Sequence, residues 1–329
     1  MSKPDIIAMV WSPHEARTAS YAKWLNAPLY NIHYLKARRP WMAPLKYILQ
    51  TLKTWQVLAS QRPRLVYVTN SPPFASLAVM LYCAVTPTRF IMDTHPPTLF
   101  SKKWGWSKPL TRFLSRRAAM NVTDQERFAK MFREWGAKVM VLENPPKNID
   151  PYTLEDISTP GEPEFVYVGT FGGDEPVEII LDAARRLPHI KFYILGDTGL
   201  ARREWLENPP SNVIFTGYIT KDTYWNRLRS ARALIVLTTH AHSLLGGAMD
   251  GLYIDKPVIV SDQPTLREYF TKGAVLVPNT SDGIVNGIQE ILNNEEYYKQ
   301  GIRELRGEVE TRWQNNFQQL KSIIWSDGR

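Results

Sequence analysis

The 329-residue sequence holds a single cysteine, Cys83, so it forms no disulfide within the chain and no cysteine-cluster zinc site. It also lacks a long apolar run. The longest, Phe74 to Val85, falls well short of the roughly 18 residues expected of a membrane-spanning helix. The opening MSKPDIIAMVWSPHE puts Lys3 ahead of an apolar stretch, but charges return within a few residues, so it reads as a first strand and not as a signal peptide. Neither glycine nor proline is periodic and 44% of the residues are hydrophobic, which excludes collagen-like and disordered chains. The expectation is an intracellular or membrane-peripheral protein.

Acidic residues are scarce in one half only. The 40 Lys+Arg and 32 Asp+Glu divide into 22 and 8 up to Asp150 and 18 and 24 after it, so a half of net charge +14 precedes one of −6. The basic character belongs to the first half, which suggests an anionic surface or partner for that half alone.

What is present is alternation. In the first half, apolar and β-branched segments at Ile6–Trp11, Leu65–Thr69, Arg89–Met92, Met120–Thr123 and Val139–Leu142 are separated by helical patterns. Asn70-Ser71-Pro72-Pro73 suits the first turn of a buried helix. In the second half, strands are expected at Glu164–Val168, Lys191–Leu195, Asn212–Phe215, Ala233–Leu237 and Pro257–Ser261. Short apolar strands alternating with helices argue parallel sheets covered on both faces. The polar, proline-containing stretch from Asn144 to Pro163 reads as a linker. The expected architecture is α/β: two Rossmann-like domains facing a cleft, over residues 1–148 and 149–310, with 311–329 as a C-terminal helix.

Gly247-Ala248-Met249-Asp250-Gly251, then Asp255-Lys256-Pro257-Val258-Ile259-Val260-Ser261-Asp262 and Leu266-Arg267-Glu268, resemble nucleotide-sugar glycosyltransferases of the GT-B fold, and more narrowly the retaining family 4. Phe165–Gly169 resembles the family's V-x-V-G strand, and Asn212–Tyr218 its N-V-x-F-x-G strand and turn. The resemblance covers about the last 170 residues. It implies a donor-binding second domain, an acceptor-binding first domain and a terminal helix packing back on the first. A sugar would pass from a nucleotide diphosphate, UDP- or GDP-linked, to a glycan or lipid-linked acceptor in polysaccharide biosynthesis. No metal or other cofactor is expected.

The residue chemistry suits that reading. Phosphates bind well at a helix N-terminus after small residues, because backbone N–H groups can approach them closely. Gly246, Gly247 and Ala248 supply such a backbone, and Asp250, one turn later, occupies the position of the family's ribose-binding acid. Gly169, Thr170 and Phe171 follow the first donor-domain strand. Tyr218 follows Gly217, where the family reads the nucleobase, and Thr239, His240 and His242 form a donor-side loop after an apolar strand. Each has a plainer alternative: a capped surface helix, a rim aromatic, a solvated turn.

The sequence also departs from the family. The first of its two acids falls at His242, and Asp250 stands where Glu is preferred. The phosphate-binding Arg and Lys are replaced by Thr170 and by Asp174-Glu175. Arg17 in the first half is the candidate cation to reach across, or else a solvent-facing helix residue. In the first half Asp93-Thr94-His95 carries the most suggestive chemistry. His95 could donate to a sugar hydroxyl or developing phosphate charge, with Asp93 fixing its tautomer or acting as base.

Two basic, tryptophan-containing segments precede amphipathic patterns: Lys36-Ala37-Arg38-Arg39-Pro40-Trp41 and Lys102-Lys103-Trp104-Gly105-Trp106. Such mixtures suit the headgroup region of an anionic bilayer, here the inner face of the cell membrane. The alternative is two core helices with solvated basic backs. No finger spacing, helix-turn-helix or RNA-binding signature appears, so nucleic acid is not expected. A non-catalytic scaffold or glycan-binding subunit, or a sugar-nucleotide epimerase, is the competing functional class.

Overall fold

The computed structural model describes residues 3–34, 42–101, 103–147 and 163–326. Lys36, Arg38, Arg39, Trp41, Lys102 and residues 148–162 of the expected linker lie outside the described residues. The chain divides into two units, Met1–Pro145 with Arg312–Arg329, and Pro146–Thr311.

The first unit runs β1 (Ile6–Val10), α1 (Ala16–Trp24), β2 (Leu29–Asn31), α2 (Ala43–Gln61), β3 (Leu65–Thr69), α3 (Pro73–Cys83), β4 (Arg89–Asp93), α4 (Pro96–Phe100), α5 (Lys108–Ser115), β5 (Met120–Thr123), α6 (Glu126–Glu134) and β6 (Val139–Val141). Its strands form one sheet in the order β2-β1-β3-β4-β5-β6, every pairing parallel. β1 and β3 are buried at every position, as strands covered by helices on both faces must be. The Glu15 carboxylate caps α1 by accepting from the backbone N–H groups of Arg17 and Thr18. Prolines sit in the first turns of α2, α3 and α5, where a missing N–H costs nothing.

The second unit runs β7 (Glu164–Val168), α7 (Val177–Arg186), β8 (Lys191–Leu195), α8 (Arg203–Glu207), β9 (Val213–Gly217), α9 (Lys221–Ser230), β10 (Ala233–Val236), α10 (Gly246–Tyr253), β11 (Val258–Ser261), α11 (Pro264–Tyr269), β12 (Ala274–Val277), α12 (Ser281–Asn293) and the start of α13 (Glu295–Ser326). Its sheet has the order β12-β11-β10-β7-β8-β9 and is again all parallel. Thr220 and Thr280 cap α9 and α12 through their hydroxyls.

Two strands escape the sequence reading, β2 and β12. Both are short edge strands, paired on one side only; β2 has just three residues and none is buried, whereas β12 is a four-residue apolar run, Ala-Val-Leu-Val, only its last residue buried.

Helix α13 serves both units in turn. Ile302, Leu305 and Val309 lie in the core of the second unit. Trp313, Phe317, Leu320 and Ile324, spaced along one helical face, lie in that of the first. There the Trp313 and Phe317 rings stack with centroids 4.8 Å apart, and Trp24 packs 4.7 Å from Trp313. Asn316 donates to the Val141 carbonyl at 3.1 Å, and Arg312 to the Glu143 carboxylate at 2.8 Å.

Candidate functional site

In an open parallel sheet, ligands bind beyond the carboxyl ends of the strands, where the strand order reverses. In the second unit that point lies between β7 and β10, because the chain builds outward from β7 to β9 on one side and from β10 to β12 on the other. The residues leaving these strands are Gly169-Thr170-Phe171 and Thr238-Thr239-His240, and α10 starts shortly after.

Small residues let α10 come this close. A Cβ on Gly247 would meet Val168 Cγ1 at 2.7 Å, so glycine is what allows the helix to rest against the end of β7. A Cβ on Gly246 would meet nothing within 4 Å, which leaves the helix N-terminus open on that side. The first N–H groups of a helix have no partner within it, and at α10 they and the positive end of the helix dipole lie beside space that an anion could enter. Ala248 is buried behind them.

The loop after β7 folds onto one of its own carboxylates. Phe171 adopts φ of 57°, a left-handed conformation for a non-glycine residue, and its ring packs toward Trp205 and Phe215 at 6.3 Å. The turn aims successive N–H groups at one point. Thr170 N and Phe171 N each donate to Glu175 Oε2 at 2.8 Å, and the Thr170 hydroxyl donates to Oε1 at 2.8 Å. Such a concavity of backbone N–H groups suits anions. In this structure it is filled by the protein's own carboxylate, to which Thr170 donates both its N–H and its hydroxyl.

Asp250 is also engaged. It is buried on α10, where Tyr224 donates its hydroxyl to Oδ2 at 2.7 Å and Lys147 pairs with Oδ1. Burial, then the nearby Asp250 charge, pushes the Tyr224 phenol well above its ordinary range, so the tyrosine stays protonated and donating. A ribose hydroxyl would join or displace these partners. Lys147 is the cation that sequence reasoning missed. It lies in a stretch read as linker, 103 residues from Asp250, and no local pattern announces it.

The β10 loop is tied back to the first loop. Thr238 donates its hydroxyl to Asp174 Oδ2 at 2.6 Å, and Thr239 N donates to the Asp174 carbonyl at 2.8 Å. His240 Nδ1 lies 3.5 Å from Asp174 Oδ2, so Asp174 orients both loop and ring. Thr239 and His240 are exposed and His242 is half-buried. Tyr218, after Gly217 with its φ of 65°, is 91% exposed at the end of β9.

The first unit has its own strand-order reversal, between β1 and β3. Arg17 in the first turn of α1 is 6% exposed and Asp93 at the end of β4 is fully buried. Arg17 Nε donates to Asp93 Oδ2 at 3.0 Å, and its Nη atoms donate to Asn144 Oδ1 at 2.9 Å and the Leu142 carbonyl at 2.6 Å. Tyr67 donates its hydroxyl to Asp93 Oδ2 at 2.8 Å. The Arg17 guanidinium is thus anchored to Asp93, which corrects the solvent-facing alternative.

Burial pushes the Asp93 carboxyl up, but Arg17, His95 and the hydrogen bonds from Arg17 and Tyr67 outweigh it and hold the group below the usual carboxylate range. An acid so firmly ionised, with these donors in place, is poorly suited to act as a base. It is better suited to orient its neighbours. His95 Nε2 lies 3.5 Å from Asp93 Oδ2, buried and without a hydrogen-bond partner among the described residues.

Phe74 lies between α2 and the second of the basic, tryptophan-containing segments. Its ring lies 4.8 Å from Tyr47 of α2 and 6.2 and 6.3 Å from Trp104 and Trp106. Around them Leu45, Ile48, Leu52, Trp106 and Phe113 are exposed. Among the described residues no helix is long and apolar enough to cross a membrane, and no group of three or more His, Cys, Asp or Glu residues could hold a metal ion.

Residues 155–306 match the family described as Glycosyl transferases group 1. Over 147 residues the chain is 30% identical to O-antigen chain mannosyltransferase C of Escherichia coli, a match covering 42% of this chain and 39% of that protein. The match thus spans well under half the length of this curated relative. Among solved structures, sucrose-phosphate synthase from Thermosynechococcus elongatus superposes with a TM-score of 0.69 at 14% identity, over 98% of this chain and 87% of the other. HepE from Anabaena, in complex with UDP-glucose, gives 0.69 at 13% identity, over 96% and 99%. The chain has the GT-B fold, and the match to the group 1 glycosyl transferases falls within its second unit.

Proposed function

We propose, for a chain of GT-B fold whose second unit matches the group 1 glycosyl transferases, that the protein is a glycosyltransferase of the retaining family 4 type. It transfers a sugar from a UDP- or GDP-linked donor to a glycan or lipid-linked acceptor of polysaccharide biosynthesis. The second unit takes the donor and the first unit the acceptor, at the inner face of the membrane, without a metal. The observation that carries this reading is the open, glycine-flanked N-terminus of α10 beside the end of β7, at the strand-order reversal of the second sheet. The UDP-glucose held by HepE supports the donor class, and the mannosyltransferase relative supports a glycan product.

In this reading the enzyme's work is mainly electrostatic. The donor's diphosphate lies at the N–H groups opening α10, whose dipole stabilises the charge that grows as the glycosidic bond breaks. With retention the departing phosphate itself accepts the acceptor's proton, so no protein base is needed. Glu175 leaves the loop amides when the nucleotide enters, or the diphosphate uses α10 alone. Lys147 supplies a positive charge next to the ribose acid Asp250. His95, oriented by Asp93, donates to a sugar hydroxyl.

Calorimetry with UDP and GDP, followed by product analysis with their sugars, tests the proposal. Binding of one nucleotide is expected, weakened at least several-fold by Asp250→Ala. Absence of binding to either nucleotide would favour a non-catalytic scaffold, and conversion of the donor sugar without any acceptor would favour an epimerase.

A further inference from the structure

The first unit carries an open groove of about 330 Å³ between α2 and α3. Ile48, Leu52 and Trp55 form one wall, and Phe74, Leu77 and Leu81 the other. Nothing in it asks for a polar ligand. The Trp55 indole N–H already donates to the Ala78 carbonyl at 2.9 Å, and the Thr51 hydroxyl to the Tyr47 carbonyl at 2.8 Å. The apolar walls are nevertheless left in water: Ile48 is 57% and Leu52 56% exposed, with Leu81 exposed across from them. Contiguous exposed apolar surface of this kind marks an interaction site.

One end of the groove is cationic. Tyr47 and Phe74 close that end, with Trp104 and Trp106 packed on the far side of Phe74. Lys46 adjoins Tyr47, and Lys103 lies over the Trp104 ring at 5.4 Å. Partial burial and the nearby Lys103 charge both lower the Lys46 ammonium from its usual range, so the two cations sense each other. An anion there would relieve the repulsion.

We propose that this groove holds the hydrocarbon chain of a long-chain phosphate, with Lys46 and Lys103 facing the phosphate. The inference rests on the lipid-linked acceptor of the reading above and specifies it: the acceptor's lipid is a single chain ending in phosphate, and α2 and α3 bind that chain. An apolar trough closed by two cations at one end is complementary in both shape and charge to such an amphiphile. A free phosphate would leave the trough exposed, and a bilayer surface needs no trough.

The test requires neither donor nor turnover, so it stands apart from the nucleotide-binding test of the second unit. Bromodecyl phosphate, kept below its micelle concentration, should quench protein fluorescence saturably, and Trp55→Phe should remove most of that quenching. Ile48→Glu combined with Leu52→Glu should abolish binding. Lys46→Ala combined with Lys103→Ala should weaken it about tenfold or more while leaving bromodecanol unaffected. Ile48 and Leu52 are exposed, so the glutamates spare the core, and Leu81→Glu on the opposite wall repeats the test if the pair fails to fold. The proposal is overturned if inorganic phosphate competes as well as the amphiphile. It is also overturned if the wall variants bind like the parent, or if the protein adheres to phosphatidylglycerol vesicles but ignores the monomeric chain.

Discussion

Asp93→Asn tests the electrostatic centre of the first unit. The change preserves shape, and Tyr67 keeps an acceptor, but the counter-ion of a guanidinium only 6% exposed disappears. Arg17 would retain its bonds to Asn144 and Leu142 and lose the charged partner 3.0 Å from Nε. Breaking one side of a buried ion pair costs about 3–5 kcal/mol. For a unit of this size each kcal/mol moves the midpoint by roughly 2–4 °C, so the corresponding calorimetric transition should fall by roughly 6–20 °C. Removing both charges with Arg17→Met and Asp93→Asn together should cost less than the two single losses added, by at least about 1 kcal/mol.

The pH dependence has a definite sign. The folded-state carboxyl of Asp93 lies below its unfolded value, so its contribution is complete above the unfolded pKa and fades as pH falls through the folded one. The parent should therefore lose stability below about pH 4, and Asp93→Asn should lose less over the same range. A cost under about 1 kcal/mol together with simple additivity would refute the claim that this pair organises the site.

Two further outcomes are expected. Gly247→Ala would place a methyl 2.7 Å from Val168 Cγ1, forcing α10 away from β7; a loss of about 1–3 kcal/mol in thermal unfolding and weaker UDP binding should follow, and parent-like affinity would separate the helix tip from the donor site. Replacing Lys103, Arg116 and Arg117 by alanine should lower retention on anionic vesicles at low salt, with sedimentation as the readout; equal retention would remove these residues from membrane contact.

The fold class was legible because strands buried on both faces leave runs such as Leu65–Thr69 and Glu164–Val168 that few other structures produce. The edge strand β2 was not, since an edge position relaxes that requirement; β12 does leave an apolar run, Ala274–Val277, which the sequence reading passed over. Small residues opening α10 were visible too, because close approach of backbone leaves a mark on residue type at the point of contact. Missing cations at Thr170 and Glu175 could also be read, but not what replaces them: only the left-handed turn at Phe171 shows Glu175 folded onto the loop's own amides.

Periodicity and residue type report what each position's own neighbourhood demands, and so carried the strands, the helices, the glycine-flanked turn and the split of charge between the halves. Partnership is another matter. Arg17 reaches Asp93 across 76 residues, Lys147 reaches Asp250 across 103, and Phe74 joins a tyrosine of α2 to tryptophans some thirty positions beyond it. A charge or a ring carries no local signature of the group it will meet, because that meeting depends on which strand ends a parallel sheet brings side by side. The tertiary structure alone decided those pairings, and with them which polar groups stay available to a ligand.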